Sequence, residues 1–85
     1  MLHSVIMPKQ GLTMEEGKVL RWRKKEGERV EKGEIILEIE TDKVVLEIEA
    51  EYTGILRQII AGPDTIVKVT ENIGYIDDEV YTPDP

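Results

Sequence analysis

The sequence predicts an all-β domain: a flattened barrel or sandwich of two antiparallel sheets, carrying an internal pseudo-two-fold repeat. Three observations carry that expectation. Apolar residues come in short runs rich in Ile and Val, and no stretch repeats them at the spacing of a helix face. Clusters of Gly, Pro and Asp punctuate these runs about every 8–12 residues, the rhythm of a sandwich or barrel. Two halves of roughly 37 residues also resemble each other. Val19-Leu20-Arg21 falls on Ile55-Leu56-Arg57, Glu28 on Asp64, Val30 on Ile66 and Lys32 on Lys68. With one extra residue allowed, Glu34, Ile36 and Ile39 fall on Glu71, Ile73 and Ile76.

Taken in order, Val5-Ile6-Met7 reads as a first strand stopped by Pro8, whose ring leaves no N–H for a ladder. Residues 8–14 form a loop in which Leu12 and Met14 are the apolar members. Lys18 to Arg23 is a second strand ending at the turn Lys25-Glu26-Gly27-Glu28, and Arg29-Val30-Glu31 is a brief third. A hairpin of two acidic, apolar-alternating arms follows, residues 34–41 and 44–51, with Asp42-Lys43 at its tip. After the turn at Tyr52-Thr53-Gly54 come residues 55–60, 66–69 and 73–76, separated by Gly62-Pro63-Asp64 and the stretch before Ile73. The acidic, proline-containing residues 78–85 read as a tail or the start of a linker after a domain spanning 1–77.

Composition narrows the function. At 85 residues there is room for one core, and with no cysteine neither a disulfide, a cysteine metal site nor a cysteine nucleophile is available. A net charge of −7 argues against nucleic acid, whose phosphates call for clustered Lys and Arg. The basic run Arg21-Trp22-Arg23-Lys24-Lys25 is the counter-signal, but Glu26-Gly27-Glu28 follows at once, so it reads as a strand end and turn. No run approaches the ~18 apolar residues of a membrane span, and the N-terminus lacks signal-peptide or transit-segment character, so a soluble, cytoplasmic domain is expected. His3 has no ligand partners at useful spacing, and no phosphate loop, nucleophile triad or acid/base pair can be assembled.

The hairpin is the informative element. Folded at Asp42-Lys43, it pairs Thr41 with Val44, Ile39 with Leu46, Leu37 with Ile48 and Ile35 with Ala50 on an apolar face. The other face pairs Glu40 with Val45, Glu38 with Glu47 and Ile36 with Glu49. The register sets two like charges opposite each other at Glu38 and Glu47, at a cost of roughly 0.2–1 kcal/mol. The tip departs from ordinary turn chemistry, since two-residue hairpin loops favour Asn-Gly or Asp-Gly for their positive φ and Lys43 has no such preference. Conflicts between local choice and local rule tend to mark functional positions, though an exposed lysine at a tip is also an ordinary solvated residue. As the joint between the half-repeats, the tip is expected to stand alone at one pole. Glu38, Glu47 and Glu49 read as a solvated face.

With Glu40-Thr41-Asp42-Lys43-Val44 at such a turn, the chain resembles the lipoyl domains of 2-oxoacid dehydrogenase complexes over about residues 2–77. Met7-Pro8-Lys9 and Gly11-Leu12-Thr13-Met14-Glu15-Glu16-Gly17 are similar to the opening of these domains in pyruvate- and acetoin-type dihydrolipoamide acyltransferase components. Gly27 and Gly54 match two signature glycines, and Trp22, Lys25, Glu26, Gly27, Glu28, Val30 and Gly33 fit the second-strand pattern. The resemblance implies lipoate joined by an amide to Lys43, with Glu40, Asp42 and the Val44 backbone presenting that lysine to a lipoate-attaching enzyme. It further implies a carrier with no catalysis of its own, monomeric in isolation. The carrier would serve a thiamine-diphosphate-dependent decarboxylase, an acyltransferase core and a flavin-dependent dihydrolipoamide dehydrogenase. Loop 8–14 would lie near the tip and help the decarboxylase recognise its carrier; alternatively, Leu12 and Met14 merely cover the sandwich edge. The sequence departs from the family's pattern at Gly62-Pro63-Asp64, with an inserted residue, and at Thr70, where a glycine is usual; both changes are expected at the pole away from Lys43.

Two other classes compete. The biotinyl domain has the same fold and a lysine at the same turn, but flanked by methionines where this chain has Asp42 and Val44. A non-carrier adaptor sandwich would use the fold without the lysine's chemistry. A solvated ammonium among carboxylates is not activated as a Schiff-base lysine is, because activation needs desolvation. Lys43 is therefore read as the substrate of a ligase.

Overall fold

The computed structural model describes residues 1–78; most of the expected tail, residues 79–85, lies outside them. Eight strands form: β1 (Leu2–Ile6), β2 (Glu16–Trp22), β3 (Arg29–Val30), β4 (Ile35–Glu40), β5 (Val45–Glu49), β6 (Gly54–Ile59), β7 (Ile66–Lys68) and β8 (Asn72–Asp77). They make two four-stranded antiparallel sheets, ordered β1-β8-β6-β3 and β5-β4-β2-β7. The sheets are not closed into a barrel, so of the two forms expected the sandwich is the one adopted. Among the described residues there is no helix.

The two sheet orders are one order written twice. Replacing β1, β8, β6 and β3 by β5, β4, β2 and β7 turns the first sheet into the second. Backbone hydrogen bonds repeat with it. Gly27 N–H donates to Leu56 O as Asp64 N–H donates to Val19 O, and Leu56 N–H donates to Glu28 O as Val19 N–H donates to Thr65 O. Glu34 accepts the Glu31 N–H as Glu71 accepts the Lys68 N–H. The equivalences are therefore Val19 with Leu56, Gly27 with Asp64, Gly33 with Thr70 and Glu34 with Glu71. This corrects the sequence alignment, which set Val19 on Ile55 and Val30 on Ile66. That alignment was one residue short in its first part, and in a strand a one-residue slip exchanges the two faces. In the true alignment buried Val19 matches buried Leu56, and buried Val30 matches buried Val67.

The same repeat accounts for Thr70. Its φ is +71°, matching +91° at Gly33, and Asp64 at +69° matches Gly27 at +91°. The second half thus keeps two left-handed turns with residues that pay a steric cost there. These turns were expected far from Lys43, and neither lies at the far pole: Lys68 pairs with Glu16 and Val69 N–H bonds Glu15 O, both residues of the cleft beside Lys43, which sets Thr70 at the tip's end as well. Asp64 N–H bonds Val19 O, the Lys18 ammonium lies 3.6 Å from the Asp64 carboxylate, and Ile66 pairs with Lys18, which pairs in turn with Glu40. The departure stands on the flank of the tip's own sheet.

Twelve apolar residues fill the space between the sheets: Met7, Val19, Val30, Ile36, Leu37, Ile39, Ala50, Leu56, Ala61, Val67, Ile73 and Ile76. The core is wholly aliphatic, with Trp22 packed at its margin and its indole N–H donating to Ala61 O at 2.7 Å. Gly54 meets β8 so closely that a Cβ would run into the Asp77 carbonyl.

Candidate functional site

The β4–β5 hairpin places the tip. Its ladder pairs Leu37 with Ile48, Glu38 with Glu47, Ile39 with Leu46 and Glu40 with Val45, as the alternation requires. Towards its base the register slips, so that Ile35 meets Glu49 where Ala50 was expected. The bulge frees Ile36 from the acidic face and buries it beside Leu37. Burial of an isoleucine outweighs one regular ladder step, since a large aliphatic side chain is worth about 1.5–3 kcal/mol inside.

At the tip, Asp42 and Lys43 are exposed, and neither has the positive φ that a primed two-residue turn needs. The expected conflict with turn chemistry disappears because a different device closes the turn. Thr41 N–H donates to Val44 O at 2.9 Å, and the Thr41 hydroxyl donates to the same carbonyl at 3.0 Å. The hydroxyl oxygen also accepts the Val44 N–H at 3.2 Å and the Lys43 N–H at 3.3 Å. A side-chain oxygen thereby takes N–H groups that would otherwise turn to a backbone carbonyl or water, as in other Ser/Thr turns. Sequence reasoning passed over Thr41. The signal available was a hydroxyl residue directly before a turn lacking glycine.

The four sequence-predicted site residues come together here. Glu40 ends β4, exposed; Asp42 and Lys43 form the exposed turn; Val44 is half exposed, with both backbone polar groups tied to Thr41. No hydrogen bond or ion pair holds the Lys43 side chain among the described residues. The tip does not stand alone, however. Loop 8–14 comes alongside it, and Gly11, Thr13, Met14, Thr41, Lys43 and Val44 line one open cleft. The two apolar members of that loop part company. Met14 packs against the core and accepts the Gln10 N–H on its sulfur at 3.3 Å, whereas Leu12 is 94% exposed.

Further down the hairpin, two of the three glutamates expected to form a solvated face, Glu38 and Glu47, are ion-paired, while Glu49 is exposed as expected. Arg21 and Arg23 of β2 donate to one Glu38 oxygen at 3.0 and 2.7 Å, and Arg23 also reaches Glu47 at 2.8 Å. Bonds from Arg23 and then Arg21 hold the Glu38 carboxyl below its ordinary range, and the bond to Glu38 raises the Arg23 guanidinium in return. The like-charge pair costs little because a guanidinium bridges it. This network also absorbs the basic run, together with the Lys24 ammonium 3.0 Å from Glu34. The Glu31 backbone N–H, then Lys24, hold the Glu34 carboxyl low.

The opposite end of the molecule carries the chain ends. Gly54 abuts Asp77, and the Met1 ammonium lies 3.1 Å from Asp78. His3, read from sequence as an isolated residue, stacks on Tyr52 with ring centroids 3.5 Å apart, and its Nε2 lies 2.6 Å from an Asp78 carboxylate oxygen. His3, then the N-terminal ammonium, keep the Asp78 carboxyl low. Among the described residues no group of His, Cys, Asp and Glu is arranged to hold a metal ion.

A protein-family model described as "Biotin-requiring enzyme", covering biotin and lipoyl attachment domains, matches residues 3–76. The chain belongs to the biotin/lipoyl family. The lipoyl domain of the 2-oxoglutarate dehydrogenase complex from Azotobacter vinelandii is similar in structure, with a TM-score of 0.70 at 32% identity. That match covers 88% of this chain and 98% of the other. The acetyltransferase component of the acetoin cleaving system of Pseudomonas putida is 44% identical over 68 residues, which are 80% of this chain and 18% of that protein. The acetyltransferase component of the pyruvate dehydrogenase complex of Rickettsia conorii is 52% identical over 56 residues, 66% of this chain and 14% of that protein. The chain thus spans less than a fifth of the curated relatives it matches.

Proposed function

We propose that this chain is a lipoyl carrier domain and that Lys43 is its attachment site. The observation that carries the proposal is the exposed Lys43 at a rigidly closed hairpin turn in a fold of this family. The residues present fit a covalently attached arm, because the ammonium is unpaired among the described residues and no wall of protein surrounds it. In attachment, Lys43 Nζ attacks the lipoate carboxyl carbon that a ligase has activated with ATP. The amide C–N bond forms as the bond to the ATP-derived leaving group breaks, and the ammonium gives up two protons in all. Once attached, the group supplies a disulfide that is reduced as it takes up an acyl group and reoxidised after the acyl group has left.

The chain's own residues supply the mount. The ion-paired hairpin and its bulge hold the tip away from the core, and Glu40 and Asp42 give the attaching enzyme an acidic grip beside the lysine. Tethering then gives the arm a high effective concentration at each enzyme it visits. In the complex we assign it to, those are a thiamine-diphosphate-dependent 2-oxoacid decarboxylase, an acyltransferase core and a flavin-dependent dihydrolipoamide dehydrogenase. The exposed Leu12 beside the tip supports contact with the decarboxylase through loop 8–14, whereas the half-buried Met14 anchors that loop against the core.

The biotinyl reading differs in the group attached, and the neighbours of Lys43 decide against it: Asp42 and Val44 stand where that class has methionines. Intact mass of the chain after incubation with ATP and either lipoate plus lipoate ligase or biotin plus biotin ligase separates the two. A lipoyl adduct alone is expected; a biotinyl adduct alone would overturn the proposal.

A further inference from the structure

We propose that Thr41 is the positioning residue of the attachment turn: its hydroxyl sets where the Lys43 stem leaves the domain. The inference rests on the carrier reading above and adds to it a role for a side chain two residues before the lysine. Lys43 lies in a turn with no glycine and no positive φ, so the backbone type that usually fixes a two-residue hairpin tip is missing. Three polar contacts of one hydroxyl stand in for it, at 3.0, 3.2 and 3.3 Å to Val44 O, Val44 N and Lys43 N. The last of these acts on the backbone of the modified residue itself. No other side chain bonds to the backbone of residues 42–44 among the described contacts. The β4–β5 ladder ends at the Glu40–Val45 pair, and beyond it the Thr41 N–H to Val44 O bond closes the turn but leaves the Lys43 and Val44 N–H groups to the hydroxyl.

The physical consequence concerns geometry more than stability. Amide formation requires Nζ at bonding approach to an activated carboxyl carbon in the ligase, and small misplacements of a reacting atom are costly in rate. Without the hydroxyl the turn still joins β4 to β5, but the Lys43 and Val44 N–H groups turn to water and the lysine's exit direction spreads. The ligase's hold on exposed Glu40 and Asp42 is kept. The loss should therefore fall on kcat, with KM for the domain nearly unchanged.

Thr41→Val keeps the shape and removes the hydroxyl; Thr41→Ser restores it. Thr53→Val serves as the control, since Thr53 accepts the Lys32 N–H at 3.0 Å near the opposite end of the molecule. Steady-state lipoylation by a lipoate ligase with ATP is measured for each chain, with thermal midpoints alongside. For Thr41→Val we expect a fall in kcat of about tenfold to a hundredfold, with Thr41→Ser and Thr53→Val close to wild type. In the wild-type chain, amide exchange should show Lys43 and Val44 N–H protected, and Thr41→Val should lose that protection. A wild type that is modified alongside an equally fast Thr41→Val chain would overturn this inference alone. So would a loss shared by Thr41→Ser or Thr53→Val, or unprotected Lys43 and Val44 amides in the wild type, which needs no variant at all. A wild type that is not modified would overturn the carrier reading, and this inference with it.

Discussion

At the scale of single residues, the site divides into what exposure permits and what a local rule demands. Lys43 is exposed and held by nothing among the described residues, so its replacement should leave folding alone and remove the chemistry. Lys43→Arg is expected to take up no lipoyl group while its unfolding free energy in urea stays within about 0.5 kcal/mol of wild type; intact mass and a denaturation curve check the two halves. Thr70 presents the reverse case. A β-branched residue at φ +71° is strained, and its repeat partner is Gly33. Thr70→Gly should relieve a left-handed cost of about 1–2 kcal/mol against a glycine entropy cost of about 0.5–1 kcal/mol, for a net gain near 1 kcal/mol in urea unfolding. The sequence made Lys43 legible because a lone lysine between two mirrored acidic arms breaks a pattern. Thr41 was not legible in the same way, because turn rules written for backbone φ do not report a side chain that substitutes for them.

At the scale of elements, alternation alone predicted seven cross-strand pairs of the hairpin; the ladder keeps four of them, and the prediction failed where burial competed with it. Ile36 alternates onto the acidic face, yet the bulge turns it inward because the core has room for it. The paired charges of β2 and β4 were also hidden, since the β2–β4 contact brings together residues 15 and 17 apart in sequence. Their pH dependence follows from the direction of the shift. Glu38 binds its proton less readily folded than unfolded, so the unfolded chain takes up more protons across the window between the two values. The stabilisation is complete above the ordinary glutamate range, about 4.3, and is lost as pH falls through the lowered folded value. Glu38→Gln should therefore separate from wild type most at neutral pH and converge with it in strong acid. Thermal midpoints collected down the pH scale test this, and curves that stay parallel into acid would contradict it.

For the whole molecule, the repeat explains both the architecture and its asymmetry. The connection between β4 and β5 occupies the place that, in the other half, belongs to the chain ends after β8 and before β1. The halves diverge in one loop: Met7 corresponds to Ala50 through shared hydrogen bonds, to Thr70 and Glu71 in one case and to Gly33 and Glu34 in the other. From those points the chain takes the long way to Gly17 through loop 8–14 but reaches the equivalent Gly54 directly. The extra residues stand beside Lys43, which is where a symmetric scaffold would need something added to distinguish its working end. Leu12→Ala should accordingly leave the thermal midpoint unchanged and weaken reductive acylation by the decarboxylase proposed as its partner.

The existence of the repeat was legible in sequence; its offset was not, because Val, Ile and Leu match one another equally well one residue out of step. Hydrogen bonds fix what apolar identity leaves open. Packing of the two halves also predicts that Gly54→Ala costs about 1–3 kcal/mol, since its Cβ must displace the Asp77 backbone.

Peptide mapping by mass spectrometry, after the wild-type chain has been incubated with lipoate, ATP and a lipoate ligase, bears most directly on the account. One lipoyl group on the peptide containing Lys43, and on no other lysine, is the predicted result. An unmodified Lys43 peptide, or a group found on Lys9, Lys32 or another exposed lysine, would contradict it.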